Sequence, residues 1–310
     1  MPKLILHAGV HRTGTTSIQQ YLAHNRQALA DQGFAYTAPK DNHQELAWKL
    51  LKDSITPDEF ADAIHDSEGR DVIVSAEDMC RIVDGSLIAR IAARFDTQVI
   101  LFVRRQDDWV ESWYNQNVKW PFNRPASVMS PLEFLGTLPE YHWLYYDTLY
   151  FRWREASPKV ELVLFDEVQD SVQEFCRRIG IDQSLLVQPA RKANSSLSAG
   201  SLEIVRHLGM AALSPQTRMA VLRSLNAAAF TSKHPTPVFP ASVKNLIMER
   251  FYDSNRRISQ EILGRLDAEL FPPAEHARFV RRALPDGQTL LGEFVAPLLR
   301  SLDRRSGRKE

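Results

Sequence analysis

The chain has 310 residues, 44% of them hydrophobic and 25% charged, enough to bury one large core or a core with a helical extension. Lys plus Arg balance Asp plus Glu at 38 each, so no overall basic field points to nucleic acid. Cys80 and Cys176 are far apart in sequence, fit no metal or redox spacing, and read as reduced, partly buried thiols.

Leu4–His7 is an apolar run suited to a strand. It starts too early for a leader pattern to precede it, and no later segment approaches about eighteen consecutive apolar residues. The expectation is a cytoplasmic protein without a membrane span. Past the strand, Ile18, Tyr21, Leu22, Ala28 and Leu29 fall largely on one helical face, which Gly33 closes. Phe34–Tyr36 suits a short strand and Thr37–Asn42 a loop. Helical patterns follow near His43–Lys52 and Pro57–Asp66, where Pro57 suits a first turn.

Asp71–Val74, Gln98–Val103 and Val160–Phe165 are continuous apolar runs, the pattern of strands buried on both faces of a parallel sheet. Alternation with helices predicts an α/β fold, a central parallel β-sheet flanked by helices with right-handed crossovers. From Ser198 onward the patterns are helical, near Ala199–Leu208, Pro215–Ala229 and Val243–Leu270, with Pro235, Pro237 and Pro240 between two of them. The expected organisation is an α/β domain over residues 1–200 and a helical extension over residues 201–310, packed on the same domain.

Between the first strand and the first helix lie Gly9, Val10, His11, Arg12, Thr13, Gly14, Thr15 and Thr16. Glycines permit a tight turn with exposed N–H groups, and the helix start adds unpaired N–H groups and the positive end of a dipole. Thr13, Thr15, Thr16 and Ser17 supply hydroxyls and Arg12 a cationic fork, a set suited to phosphate or sulfate oxygens. A polar N-cap alone would account for the threonines, but not for an arginine inside the loop. Gly9 and Gly14 have the spacing of a triphosphate loop, yet Thr15 stands where lysine is required, so ATP chemistry ranks second.

A second anion contact is suggested downstream, where Arg104 ends a strand and Ser112 follows on the next helix. Taken alone, Arg104 and Arg105 are more often surface residues paired to Asp107 or Asp108. Together the loop HAGVHRTGTTS and the strand-ending Arg104 with Ser112 resemble the sulfotransferase family, and the segments VRRQDDWVESWYNQ and RKANSSLS (Arg191–Ser198) look most like its bacterial members. The resemblance covers roughly residues 4–200. It implies the three-layer architecture shared with P-loop kinases and 3'-phosphoadenosine 5'-phosphosulfate as donor, without a metal. By position, it implies that Arg12, Thr13, Gly14, Thr15, Thr16 and Ser17 hold the phosphosulfate and that Arg104 and Ser112 hold the 3'-phosphate. His11 is a further donor contact. Many family members have lysine at the Arg12 position, so the charge is kept and the point-charge ammonium is not. The usual Arg-Lys-Gly stretch near the C-terminus is absent, and Arg191-Lys192 followed by Asn194-Ser195-Ser196 is offered in its place.

Sulfonate transfer needs a base for the acceptor proton and stabilisation of the departing phosphate. Arg12 and the loop suit the second task. Glu77, just beyond the strand Asp71–Val74, falls where cytosolic relatives carry a catalytic histidine, although an acidic residue there also suits a helix start. His43 is the other candidate base, with a solvated or helix-starting histidine as its plain alternative. Trp143, Tyr146, Tyr150 and Trp153 have helical spacing and read as core, while Trp120–Pro125 suits an exposed lid over an acceptor. The partners expected are the nucleotide donor and an acceptor hydroxyl on a glycan, lipid-linked saccharide or small metabolite, with no nucleic acid. A kinase or nucleotide hydrolase, or a non-catalytic relative of the fold, are the competing readings.

Overall fold

The computed structural model describes residues 3–300 apart from 67, 121, 190–196, 198, 212, 228–236, 267–268, 274–278, 280–283 and 285. Five strands, β1 (Lys3–His7), β2 (Phe34–Ala35), β3 (Asp71–Ser75), β4 (Asp96–Val103) and β5 (Lys159–Leu164), form one sheet in the order β2-β3-β1-β4-β5. Every pairing is parallel, and Leu6 of β1 lies beside Val74 of β3 and Val99 of β4. Leu4, Ile5, Ile73, Val99, Ile100, Leu101 and Phe102 are wholly buried. Burying each such side chain stabilises the fold by about 2 kcal/mol, which is why the continuous apolar runs become central strands.

Helices α1 (Thr15–His24), α2 (Gln44–Leu51), α3 (Pro57–Ile64), α4 (Gly85–Ala92), α5 (Gln106–Lys119), α6 (Tyr146–Ala156) and α7 (Ser171–Ile179) alternate with the strands along the chain. α3 begins with a capping box in which the Thr56 hydroxyl and the Glu59 carboxylate each accept from the other's backbone N–H. In α7, Asp170 caps Val172 and Gln173. One core cluster joins Ile5, Ile18, Tyr21, Leu22, Phe102, Phe175 and Cys176, so α1 and α7 bury their apolar stripes with β1 and β4. Cys80 and Cys176 are free and buried. Tyr146, Tyr150 and Trp153 are core residues of α6, whereas Trp143 lies in a 3-10 turn before it, because the chain turns at Tyr145.

The chain divides into two compact units that interleave in sequence. The first contains Met1–Trp109, Tyr141–Arg191 and Glu249–Pro272, and holds the whole sheet. The second contains Val110–Glu140, Lys192–Met248 and Pro273–Glu310. Its interior includes Tyr114 edge-on to Phe134 at 5.2 Å and the Arg218 guanidinium donating to Ser127 Oγ at 3.0 Å. Helices over Ala199–Met210 and Pro215–Ala227 follow the expected pattern. The run Val243–Leu270 does not stay one helix. It becomes Ala241–Arg250, Tyr252–Arg257 and a π-helical turn Ile258–Ile262, after which Gly264 adopts a left-handed conformation at φ +66°. The apolar periodicity does not register the break at Phe251 or the glycine stop. Among the described residues no helix is long and apolar enough to cross a membrane.

Past His7 the chain continues along β4, with the N–H of Ala8 donating to Ile100 O and that of Val10 to Phe102 O. This approach explains Gly9. A Cβ there would lie 2.5 Å from Phe102 N and 2.7 Å from Phe102 O, and backbone atoms of a central strand do not yield. Gly9→Ala is expected to cost about 3 kcal/mol in urea unfolding.

Candidate active site

The loop after β1 turns on two left-handed residues, Arg12 at φ +67° and Gly14 at φ +78°. For a residue with a Cβ this conformation costs about 1–2 kcal/mol, so the loop holds Arg12 in strain. A Cβ on Gly14 would lie 2.3 Å from Ser171 Oγ at the start of α7, so only glycine fits the cradle. Gly14 is also the N-cap of α1 and offers no side-chain cap, and no acidic residue occupies the first turn. No side chain therefore caps the leading N–H groups of α1 at the positive end of the helix dipole, and that of Ser17 donates to the Gly14 carbonyl at 2.9 Å. The hydroxyls divide. Thr13 is buried and donates to Val10 O at 2.6 Å, bracing the loop, and Thr15 is buried, while Thr16 and Ser17 are exposed on the first turn.

Arg104 and Arg105, at the carboxyl end of β4, serve different ends. Arg105 is buried and pairs with Asp107 at 2.9 Å, the ion pair its composition suggested. Arg104 instead reaches the loop, donating from Nη1 to the carbonyl of Arg12 at 3.2 Å. Its Nε is buried and makes no hydrogen bond, with Asp166 Oδ1 standing 3.7 Å away, and its guanidinium lies over the Phe165 ring. Tyr146 holds the Arg104 backbone from both sides, accepting from its N–H and donating to its carbonyl. The surrounding protein and the adjacent Arg104 charge both lower the pKa of the Arg12 guanidinium. Two like charges brought together at an uncapped helix start are stabilised by an anion between them. Ser112 lies farther along α5, in the second unit.

A third cluster gathers at the end of β3, where Glu77–Arg81 form a 3-10 turn. Asp78 is buried and accepts from four side chains: His11 Nε2 at 2.9 Å, Arg81 Nη1 at 3.4 Å, Gln44 Nε2 and Trp48 Nε1. Burial by itself would raise its pKa. The hydrogen bond and charge of His11, with Trp48 and Arg81, outweigh that and hold it at about 2. Glu77, by contrast, is partly exposed, accepts from Gln19 Nε2 at 2.6 Å, and has His11 Nδ1 3.7 Å from its Oε1. Asn42 in turn donates to Gln19 Oε1 at 3.3 Å. The two neighbouring carboxylates are thus unequal, one saturated with donors and one open.

His43 lies elsewhere in the same loop region and is buried. Its Nδ1 accepts from the Ser75 N–H at 3.2 Å, its Nε2 meets Thr37 Oγ1 at 3.3 Å, and its own N–H donates to Ser75 O. Burial, then the Arg26 charge, lowers its pKa to about 4. His7 is buried at the end of β1, with Nδ1 2.8 Å from Ser75 Oγ, and burial lowers its pKa to about 3. Trp120 and Phe122 are exposed, with ring centroids 5.4 Å apart, in the second unit. Arg191, Lys192, Asn194, Ser195 and Ser196 lie outside the described residues.

Sequence reasoning found the residues at this edge but not all their relations. The bond from His11 to Asp78 spans 67 positions, and Asp166, Ser171 and Trp109 were not singled out as site residues. Trp109 donates from Nε1 to the carbonyl of His11 at 2.7 Å and lies edge-on to Tyr141. The signal available was topological: β3 and β4 both flank β1, so the turns after all three strands must meet at one edge.

A parallel sheet with a backbone cradle and two neighbouring guanidiniums at its carboxyl edge defines an α/β protein with a cationic, donor-rich edge. A sequence model described as "Sulfotransferase domain" matches residues 4–192, and the chain belongs to that family. It is also similar to an uncharacterized protein of Archaeoglobus fulgidus, 29% identical over 177 residues that cover 54% of this chain and 46% of that one. The match thus spans less than half the length of that relative.

Proposed function

We propose that this protein transfers a sulfonate group from 3'-phosphoadenosine 5'-phosphosulfate to an acceptor hydroxyl, in the cytoplasm and without a metal. The observation that carries the reading is the contact between Arg104 and the Arg12 carbonyl. It brings the loop of β1 and the end of β4 together as one cationic edge over an uncapped helix start. The buried Arg104 Nε without a hydrogen bond is the kind of orphan donor that a phosphate oxygen satisfies. These residues fit a nucleotide charged at both its 5' and 3' ends.

When bound, the donor supplies an activated sulfonate on a phosphate leaving group. Arg12, the N–H groups from Gly14 to Thr16 and the exposed hydroxyls of Thr16 and Ser17 hold the 5' end and stabilise charge as it grows on the departing phosphate. Arg104 binds the 3'-phosphate. Glu77 receives the acceptor proton. It suits that role better than Asp78, which four donors keep ionised, and better than buried His43, whose ring braces the chain against β3. The acceptor is a hydroxyl of a glycan, lipid-linked saccharide or small metabolite, to be found by assaying labelled donor against lysate fractions.

Isothermal titration with adenosine 3',5'-bisphosphate in magnesium-free buffer tests the donor. Binding is expected, weakened about tenfold to a hundredfold by Arg104→Ala, as for a lost charge-assisted hydrogen bond. Absence of binding, or tight ATP binding that requires magnesium, would overturn the reading.

A further inference from the structure

Resting on that reading, we propose that His11 is the second station of a proton relay: Asp78 pins its ring so that Nδ1 takes from Glu77 the proton Glu77 has taken from the acceptor. The geometry is a line of three groups. Asp78 Oδ1 lies 2.9 Å from His11 Nε2, and His11 Nδ1 lies 3.7 Å from Glu77 Oε1. Asp78 is saturated by its donors and remains a carboxylate through turnover. An ionised Asp78 demands a proton on Nε2, and in the neutral ring this fixes the tautomer whose Nδ1 lone pair faces Glu77. The separation of 3.7 Å is longer than a hydrogen bond, as catalytic contacts often are before substrate closes the site.

The proton count closes at each step. The acceptor oxygen forms its bond to sulfur, the bond from sulfur to the leaving phosphate breaks with its electron pair on that phosphate, and the acceptor proton passes to Glu77 Oε1. Glu77 then gives it to His11 Nδ1, regenerating the carboxylate and leaving an imidazolium between Glu77 and Asp78. Water finally removes it. Two neutral groups complete the setting. Gln19 holds the far oxygen of Glu77 at 2.6 Å, directing Oε1 to the histidine, and Trp109 anchors the His11 carbonyl at 2.7 Å. His11 is thus a positioning and relay residue, joined to the reacting atoms through Glu77.

The test follows release of radiolabelled sulfate to water, an acceptor that is always present, at saturating donor in wild type, His11→Gln, His11→Ala and Glu77→Gln. His11→Gln keeps an N–H for Asp78 but carries no titratable nitrogen. Its kcat is expected to fall at least tenfold. Added imidazole is expected to restore turnover in His11→Ala and not in Glu77→Gln. Wild-type kcat in His11→Gln, or a loss in His11→Ala that imidazole does not rescue, would overturn the relay while leaving Glu77 as base. Wild-type kcat in Glu77→Gln would instead overturn the reading on which the relay depends.

Discussion

Replacing Arg12 by glycine is expected to slow sulfonate transfer by about a hundredfold to a thousandfold while leaving the protein at least as stable. The two effects separate because Arg12 is held at φ +67°, where a Cβ is unfavourable and glycine is at ease. Urea unfolding is expected to show a gain of up to about 1 kcal/mol, reduced by the extra freedom of glycine in the unfolded chain. Radiolabelled transfer is expected to show the loss. A variant equally active would remove Arg12 from the chemistry. A variant that unfolds would show that the arginine supports the loop through contacts its backbone strain conceals.

Glu77→Gln is expected to lower turnover by about a hundredfold to ten-thousandfold, the usual contribution of a placed general base, while donor affinity stays within twofold or so of the parent. The substitution preserves shape, and the new amide oxygen still accepts from Gln19, now 2.6 Å from the carboxylate. The loss therefore reports on proton transfer alone. His43→Gln is the control. If its turnover fell instead, while that of Glu77→Gln did not, the base would lie at the buried histidine. The physical contrast between the two sites is solvent access: Glu77 is partly exposed, and burial holds the His43 pKa at about 4.

Much of this architecture was legible in the residues because parallel strands are buried on both faces. LILH, DVIV, QVILFV and VELVLF announce β1, β3, β4 and β5, and their observed bounds differ by at most about two residues. The loop was legible because glycine, arginine and threonine carry local meaning there. The acid–histidine cluster was not. His11 has no chemical partner within its own segment, and Glu77 and Asp78 look alike as neighbours in a chain. Only the pairing of β1 with β3 brings His11 to Asp78, and only the packing of Gln44, Trp48 and Arg81 makes one carboxylate saturated and the other open. Likewise nothing local distinguishes Arg104 from Arg105. The path of the chain after β4 turns one toward Asp107 and the other toward the loop.

The strand order has a kinetic consequence. β1 is central, yet both its partners come from far along the chain: Leu6 pairs with Val74 and with Val99. Closing segments of that length is entropically costly before any contact rewards it, so such sheets form slowly. The cradle at the end of β1 can be set only after β4 has docked, because Gly9 and Val10 lie against Phe102. On the proposed function, nucleotide capture is one of the last properties to mature, and it marks the moment at which the polypeptide has reached its native topology.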